Sequence, residues 1–194
     1  VYGMTIGEYG QMINGEKWLK NGVQCDLKVI PLENYNHNTA YHLPVKPSPN
    51  LPNDKSINLY PSLCFFEGTT VSAGRGTEMQ FQIYGSPFLS KSDFTFTPQP
   101  NKGAKYPKHE NKLCFGENLQ EAENLNKIDL SYLIKAYNLN SSKEFFNNFF
   151  TKLAGTKKLQ QQIENHLSEK EIRKTWKKDL NEFKITRNFY LLYK

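Results

Sequence analysis

The stretch Phe66-Glu67-Gly68-Thr69-Thr70-Val71-Ser72-Ala73-Gly74-Arg75-Gly76-Thr77 follows directly on the apolar run Leu59–Phe66 and sets a carboxylate, hydroxyls and an arginine between glycines. Glycine lets a backbone take positive φ or approach a ligand closely. Glu67 and Arg75, with Thr69, Ser72 and Thr77 beside them, offer acceptors, donors and a forked cation in one loop. This pattern reads as a polar-ligand site with the rest of the chain as its scaffold. The plainer alternative is a hairpin carrying an ordinary pair of Arg75 with Glu67 or Glu78. It is not a phosphate loop, because the Walker lysine and its spacing are missing.

Upstream of this loop, Leu43–Pro52 (LPVKPSPNLP) holds four prolines in ten residues, which forbids a helix and stiffens an extended segment. It is expected to be a rigid loop that positions Lys46, Ser48 and Asn50. Ile57–Phe66 reads as a buried short helix or strand, with Pro61 in a first helical turn. Nearer the start, Thr5 and Glu8 form a capping box for a helix over Ile6–Asn21, with Tyr9, Met12, Ile13, Trp18 and Leu19 on its apolar face. Asp26–Pro31 (DLKVIP) alternates and predicts a strand ending at Glu33-Asn34-Tyr35.

Downstream, β-like runs at Gln80–Tyr84, Phe94–Thr97 and Lys112–Phe115 surround a Lys/Gly/Pro-rich loop at Asn101–Asn111. From Leu125 onward the periodicity is helical. Phe145, Phe146, Phe149, Phe150 and Leu153 form a core stripe ended by Gly155. Thr156 caps the next helix, and Ser168 with Glu171 forms a capping box for the last, with Ile172, Trp176, Leu180 and Phe183 inward. Phe189–Tyr193 reads as a final strand or a docked extension. The fold class that follows is α+β, a small mixed or antiparallel sheet with C-terminal helices packed on it. Residues 1–124 form the mixed part and 125–194 the helical part.

The 194 residues carry a net charge of +6, yet the lysines crowd onto helical faces of the last third beside glutamates. That is a solvated surface, and without basic runs interleaved with aromatics no nucleic-acid partner is expected. No apolar run is long enough to span a membrane. Cys25, Cys64 and Cys114 lack metal-ligand spacing, and Cys25 and Cys64 lie in apolar runs as small core residues. His37, His42, His109 and His166 form no ligand pattern either, so neither metal nor cofactor is expected. The candidate acids are Glu8, Glu16, Glu33, Glu67 and Glu78. Glu33 and Glu67 both end apolar segments and would converge at one end of a sheet. The start at Val1 is expected to be a cut inside a longer protein or a processed terminus.

Taken in order, MTIGEYGQMINGE (Met4–Glu16), CDLKVIPLEN (Cys25–Asn34), LPVKPSPNLP, LYPSLCFFEGTTVSAGRGT (Leu59–Thr77) and FFTKLAGT (Phe149–Thr156) resemble the C-terminal domain of the NamZ-type exo-β-N-acetylmuramidases. The resemblance runs nearly end to end. It implies a bacterial, exported, periplasmic or cell-wall-associated glycoside hydrolase acting in cell-wall recycling. Such an enzyme removes N-acetylmuramic acid from the non-reducing end of peptidoglycan fragments, in a cleft shared with an upstream Rossmann-like domain. The family's catalytic acid belongs to a Pro-Glu-His-Gly motif that this chain lacks. The resemblance therefore implies a substrate-side half that is inactive alone, with Glu67 as the one catalytic candidate here. The implied substrate-binding set is Arg75, Lys46, Ser48, Asn50, Glu67, Thr69, Ser72, Thr77, Glu33 and Asn34. Arg75, then Lys46, is expected to read the O-lactyl carboxylate of a peptidoglycan-derived saccharide. The alternative is a non-catalytic module that binds amino sugars or peptidoglycan.

Overall fold

The computed structural model describes residues 3–193, which divide into two units, residues 3–41 with 173–193 and residues 42–172. In the first unit, Thr5 and Glu8 make the expected capping box at the start of α1 (Ile6–Gly15). The helix ends six residues before Asn21, because Lys17 turns left-handed at φ 57° and one 3-10 turn, Lys20–Gly22, follows. Trp18 and Leu19 are consequently exposed and not part of an apolar helical face.

Glu8 is fully buried and organises this unit. One oxygen accepts from the Thr5 N–H at 2.7 Å and hydroxyl at 3.1 Å. The other accepts from His37 Nε2 at 3.0 Å, Leu192 N–H at 2.8 Å and Tyr193 N–H at 3.3 Å. The C-terminal tail is therefore a docked extension and not a strand, held by a carboxylate instead of a ladder. Burial would raise the Glu8 pKa, but these hydrogen bonds outweigh it and hold it at about 2. Glu8 is thus a structural anion and no proton donor. Glu16 is likewise engaged, by the Tyr190 hydroxyl at 2.7 Å.

Asp26–Pro31 forms no strand: it has the alternation but no neighbouring strand among the described residues of its unit. Its approach to α1 is close, and a Cβ on Gly7 would lie 2.6 Å from Val29 Cγ1. Cys25 is exposed, its backbone bonded to the Asn14 side chain at 2.8 and 3.0 Å, which corrects its expected place in a core.

In the second unit, Asn53 caps α2 (Asp54–Leu63), which tightens into a 3-10 segment, Cys64–Gly68. Pro61 lies inside α2 and not in its first turn. Leu59, Leu63 and Phe66 are fully buried, and Phe66 stacks on Tyr84 at 4.9 Å. Tyr84 belongs to β1 (Ile83–Ser86), which pairs antiparallel with β3 (Cys114–Asn118), while β3 pairs with β2 (Thr95–Phe96). The sheet order is β1-β3-β2, so the fold is α+β with a small antiparallel sheet. Ile83, Phe96 and Cys114 close one apolar cluster, and burial pushes the Cys114 thiol up to about 12.

Helices α3 (Ser131–Leu139), α4 (Phe150–Ala154) and α5 (Lys158–Glu164) follow. The Phe-rich helix is shorter than expected because residues 145–147 pair with the glycine-rich loop. Thr70 N–H donates to Phe145 O at 2.8 Å and Asn147 N–H to Gly68 O at 2.9 Å. Phe145 and Phe150 are core, Phe149 is exposed, and Gly155 ends α4 in the left-handed region. Ser168 and Glu171 make the expected capping box at α6 (Glu169–Asn188). Ile172 is buried, but Leu180 is about half exposed and does not face inward as its spacing suggested. Among the described residues no helix is long and apolar enough to cross a membrane.

Candidate functional site

Leaving the 3-10 segment, the glycine-rich loop pairs with the edge of β1, Ser72 and Gly85 exchanging N–H···O bonds at 2.8 and 3.0 Å. It then turns at Gly74 (φ 76°) and Gly76 (φ 85°). Side chains are excluded from both positions. A Cβ on Gly74 would lie 2.7 Å from Met79 O, and one on Gly76 2.5 Å from Pro107 Cβ. Arg75 is thereby held between two left-handed residues with its side chain turned across the loop. Nη1 donates to Glu67 Oε1 at 2.8 Å and Nη2 to Gly103 O at 3.4 Å. The internal pair foreseen for Arg75 is present, and its partner is Glu67. The Arg75 side chain is still 42% exposed and that of Glu67 27%. An ion pair that open is worth at most about 1 kcal/mol. The guanidinium keeps donors beyond these two bonds, and its Nε is buried without a partner.

Arg75, Glu67 and Ser72 line a recess of about 260 Å³ together with Tyr106 and Lys108. The Lys108 ammonium donates to Phe66 O at 2.9 Å, Thr69 O at 2.5 Å and Val71 O at 2.9 Å. All three of its donors are spent on the loop's backbone, so it shapes the loop and adds positive field without a donor for a ligand. Burial pushes its pKa down to about 8, Glu67 opposing and Arg75 adding, which leaves it charged at neutral pH. His109 Nε2 bonds Thr70 O at 2.6 Å, and burial lowers its pKa too. Sequence reasoning missed Lys108. Nothing separates it from Lys102 and Lys105 in the same loop, since its acceptors lie 37–42 residues away.

The loop hydroxyls serve the turn. Thr69 Oγ1 donates to Phe66 O at 3.0 Å and accepts from Val71 N–H at 3.0 Å. Thr77 Oγ1 donates to Gly74 O at 2.7 Å and accepts from Met79 N–H at 3.0 Å. Ser72 Oγ accepts from Gly74 N–H at 3.3 Å.

The proline-rich segment meets this loop at the turn Asn101–Ala104. Asn50 Nδ2 donates to Gly103 O at 2.7 Å, the carbonyl that Arg75 also reaches. Lys46 and Ser48 line a second recess, of about 380 Å³, bounded by Gly103. The structure thus brings together Lys46, Ser48, Asn50, Glu67, Ser72 and Arg75 around one turn. Glu33 and Asn34 are exposed in the other unit, Asn34 at φ 55°, and Glu33 stands at no strand end, because residues 26–31 form no strand. Among the described residues no group of His, Cys, Asp and Glu is placed to hold a metal ion.

The family model described as exo-beta-N-acetylmuramidase NamZ, C-terminal, matches residues 58–193. The chain belongs to the NamZ family. The family's N-terminal model matches residues 1–55, so Lys46, Ser48 and Asn50 fall in that portion and the glycine-rich loop in the C-terminal one. The peptidoglycan beta-N-acetylmuramidase NamZ of Bacillus subtilis (strain 168) is 31% identical over 99% of this chain and 50% of its own length. The chain thus spans about half of that curated relative. A crystal structure of a DUF1343 family protein from Bacteroides fragilis NCTC 9343 superposes with a TM-score of 0.90 at 50% identity, covering 98% of this chain and 56% of that one. A second such protein from the same organism gives 0.78 at 19% identity, over the same shares of each chain, and supports the fold alone. This NamZ-family chain therefore carries residues matched by both halves of the family.

Proposed function

We propose that this chain is the substrate-side portion of an exo-acting β-N-acetylmuramidase that releases N-acetylmuramic acid from the non-reducing end of peptidoglycan fragments. The observation that carries the reading is Arg75. It is a part-exposed guanidinium fixed between two left-handed glycines, oriented by Glu67, and set beside the spent cation Lys108. N-acetylmuramic acid differs from N-acetylglucosamine by an O-lactyl carboxylate, and a held guanidinium is the group that recognises a carboxylate. The 260 Å³ recess is small for a sugar but suits a lactyl group. Lys46, which lines the neighbouring recess with Lys102, is the second choice for that carboxylate.

In this reading Glu67 orients Arg75, and the catalytic carboxylates come from the part of the relatives that this chain does not span. The whole protein works outside the cytoplasm, at the periplasm or cell wall, in wall recycling. Glu8 and Glu16 are both engaged in structural bonds, which favours one rival, a binding module that holds amino sugars without cleaving them.

Turnover of chromogenic glycosides of N-acetylmuramic acid and N-acetylglucosamine by the full-length parent separates the two. Cleavage of the muramic substrate alone is expected, and no cleavage of either by folded protein selects the binding module. Losing a paired charge contact costs about 2–5 kcal/mol. Because Arg75 is part-exposed, Arg75→Ala is expected at the lower end, about 30-fold in kcat/KM on the muramic substrate. A loss under about threefold would refute the assignment of Arg75.

A further inference from the structure

Beside Lys46 and Ser48, the larger recess is lined by Pro49, Pro52 and Gln80. Gln80 is 6% exposed, and its Oε1 is buried with no hydrogen-bond partner. An orphaned acceptor is costly, so its retention calls for an explanation. The backbone offers none: Gln80 stands just before Phe81, whose φ is 53°, in the turn that leads into β1. A glutamine's terminal torsion is broad and soft. Turning the amide over about this torsion exchanges its two ends and brings this oxygen to the wall that the side chain already lines. Asn50 Oδ1, whose amide partner Gly103 bounds the same recess, is also buried without a partner.

We infer that this recess is an acetamido-sugar subsite, in which Gln80 Oε1 accepts the ligand's amide N–H and Pro49 and Pro52 take the acetyl methyl group. The chemistry is a match of parts: one buried acceptor for one N–H, apolar rings for a methyl, and a polar rim for ring hydroxyls. That rim is supplied by Ser48, Glu78 and Asn101. The volume, about 380 Å³, lies within the range of about 300–1,000 Å³ usual for small-ligand sites, whereas the Arg75 recess falls below it. Arg75 and Asn50 share the Gly103 carbonyl, so the two recesses lie on either side of one turn. The inference rests on the amino-sugar reading above, and it adds the group that the second recess recognises.

The test is nuclear magnetic resonance titration of the 194-residue chain, and of its Gln80→Leu variant, with N-acetylglucosamine, N-acetylmuramic acid and D-glucosamine as probes. Both N-acetyl sugars are expected to shift the Gln80 side-chain amide and the backbone signals of residues 101–103, with D-glucosamine leaving them in place. Gln80→Leu is expected to weaken N-acetyl sugar binding about five- to tenfold, the worth of one neutral hydrogen bond. Its melting temperature should be equal or higher, because an unpaired buried oxygen is removed; a purely structural glutamine would instead lower it. Equal shifts from D-glucosamine, no shifts from any probe, or a lowered melting temperature with unchanged affinity would each overturn the inference. Failure of the muramidase reading looks different: N-acetylglucosamine and N-acetylmuramic acid would bind alike, and Arg75→Ala would change neither.

Discussion

Replacing Glu8 by glutamine keeps the side chain's size and removes its charge. In the folded protein, one carboxylate oxygen takes three donors, from His37, Leu192 and Tyr193, and the other takes two from Thr5. A glutamine amide offers one acceptor and turns an N–H₂ toward donors on its other side. The magnitude follows from linkage. The pKa falls from 4.5 to about 2, and at about 1.36 kcal/mol per unit this is about 3 kcal/mol. A depressed carboxylate pKa contributes stability that is fully present above the unfolded value. That stability is lost as pH falls from about 4.5 through about 2. The assay is guanidinium unfolding followed by tryptophan fluorescence, since both tryptophans, Trp18 and Trp176, lie in the unit Glu8 organises. Wild type should lose about 3 kcal/mol between neutral pH and pH 2 from this group. Glu8→Gln should start that much lower at neutral pH and change less on acidification. Coincident neutral-pH curves for the two proteins would refute the reasoning, as would an acid transition unchanged in the variant.

Two further outcomes test the glycine-rich loop. Gly76→Ala forces a side chain into φ 85° with its Cβ 2.5 Å from Pro107, so it should cost about 1–3 kcal/mol from backbone strain and a similar amount from overpacking. An unchanged melting temperature would contradict the geometry. Lys108→Met strands the carbonyls of Thr69 and Val71, at about 1–3 kcal/mol for each one left unpaired, while Phe66 O keeps its bonds from the Thr69 hydroxyl and N–H. Lys108→Arg keeps the charge but not the threefold geometry, and should fall between. If Lys108→Met unfolds at the wild-type temperature, Lys108 does not hold the loop.

The readable parts of the sequence are those whose physics is local. The Thr5–Glu8 and Ser168–Glu171 boxes and the stop at Gly155 involve partners three residues apart or a single backbone angle. The glycines flanking Arg75 are of the same kind, as is the proline-stiffened segment that carries Lys46, Ser48 and Asn50. Tertiary structure decided what depends on distant partners. Asp26–Pro31 has a strand's alternation, but a strand is defined by a neighbour, and the described residues of its unit supply none. Phe145–Phe149 has a helix's spacing, yet its backbone bonds to the glycine-rich loop instead. Glu8 could be read as a cap, but its union with the chain's other end, through Leu192 and Tyr193, leaves no trace in either segment alone. Lys108 and Gln80 follow the same rule. A lysine whose acceptors are some forty residues away, or a buried amide oxygen with none, looks like any other polar residue until the fold shows what surrounds it.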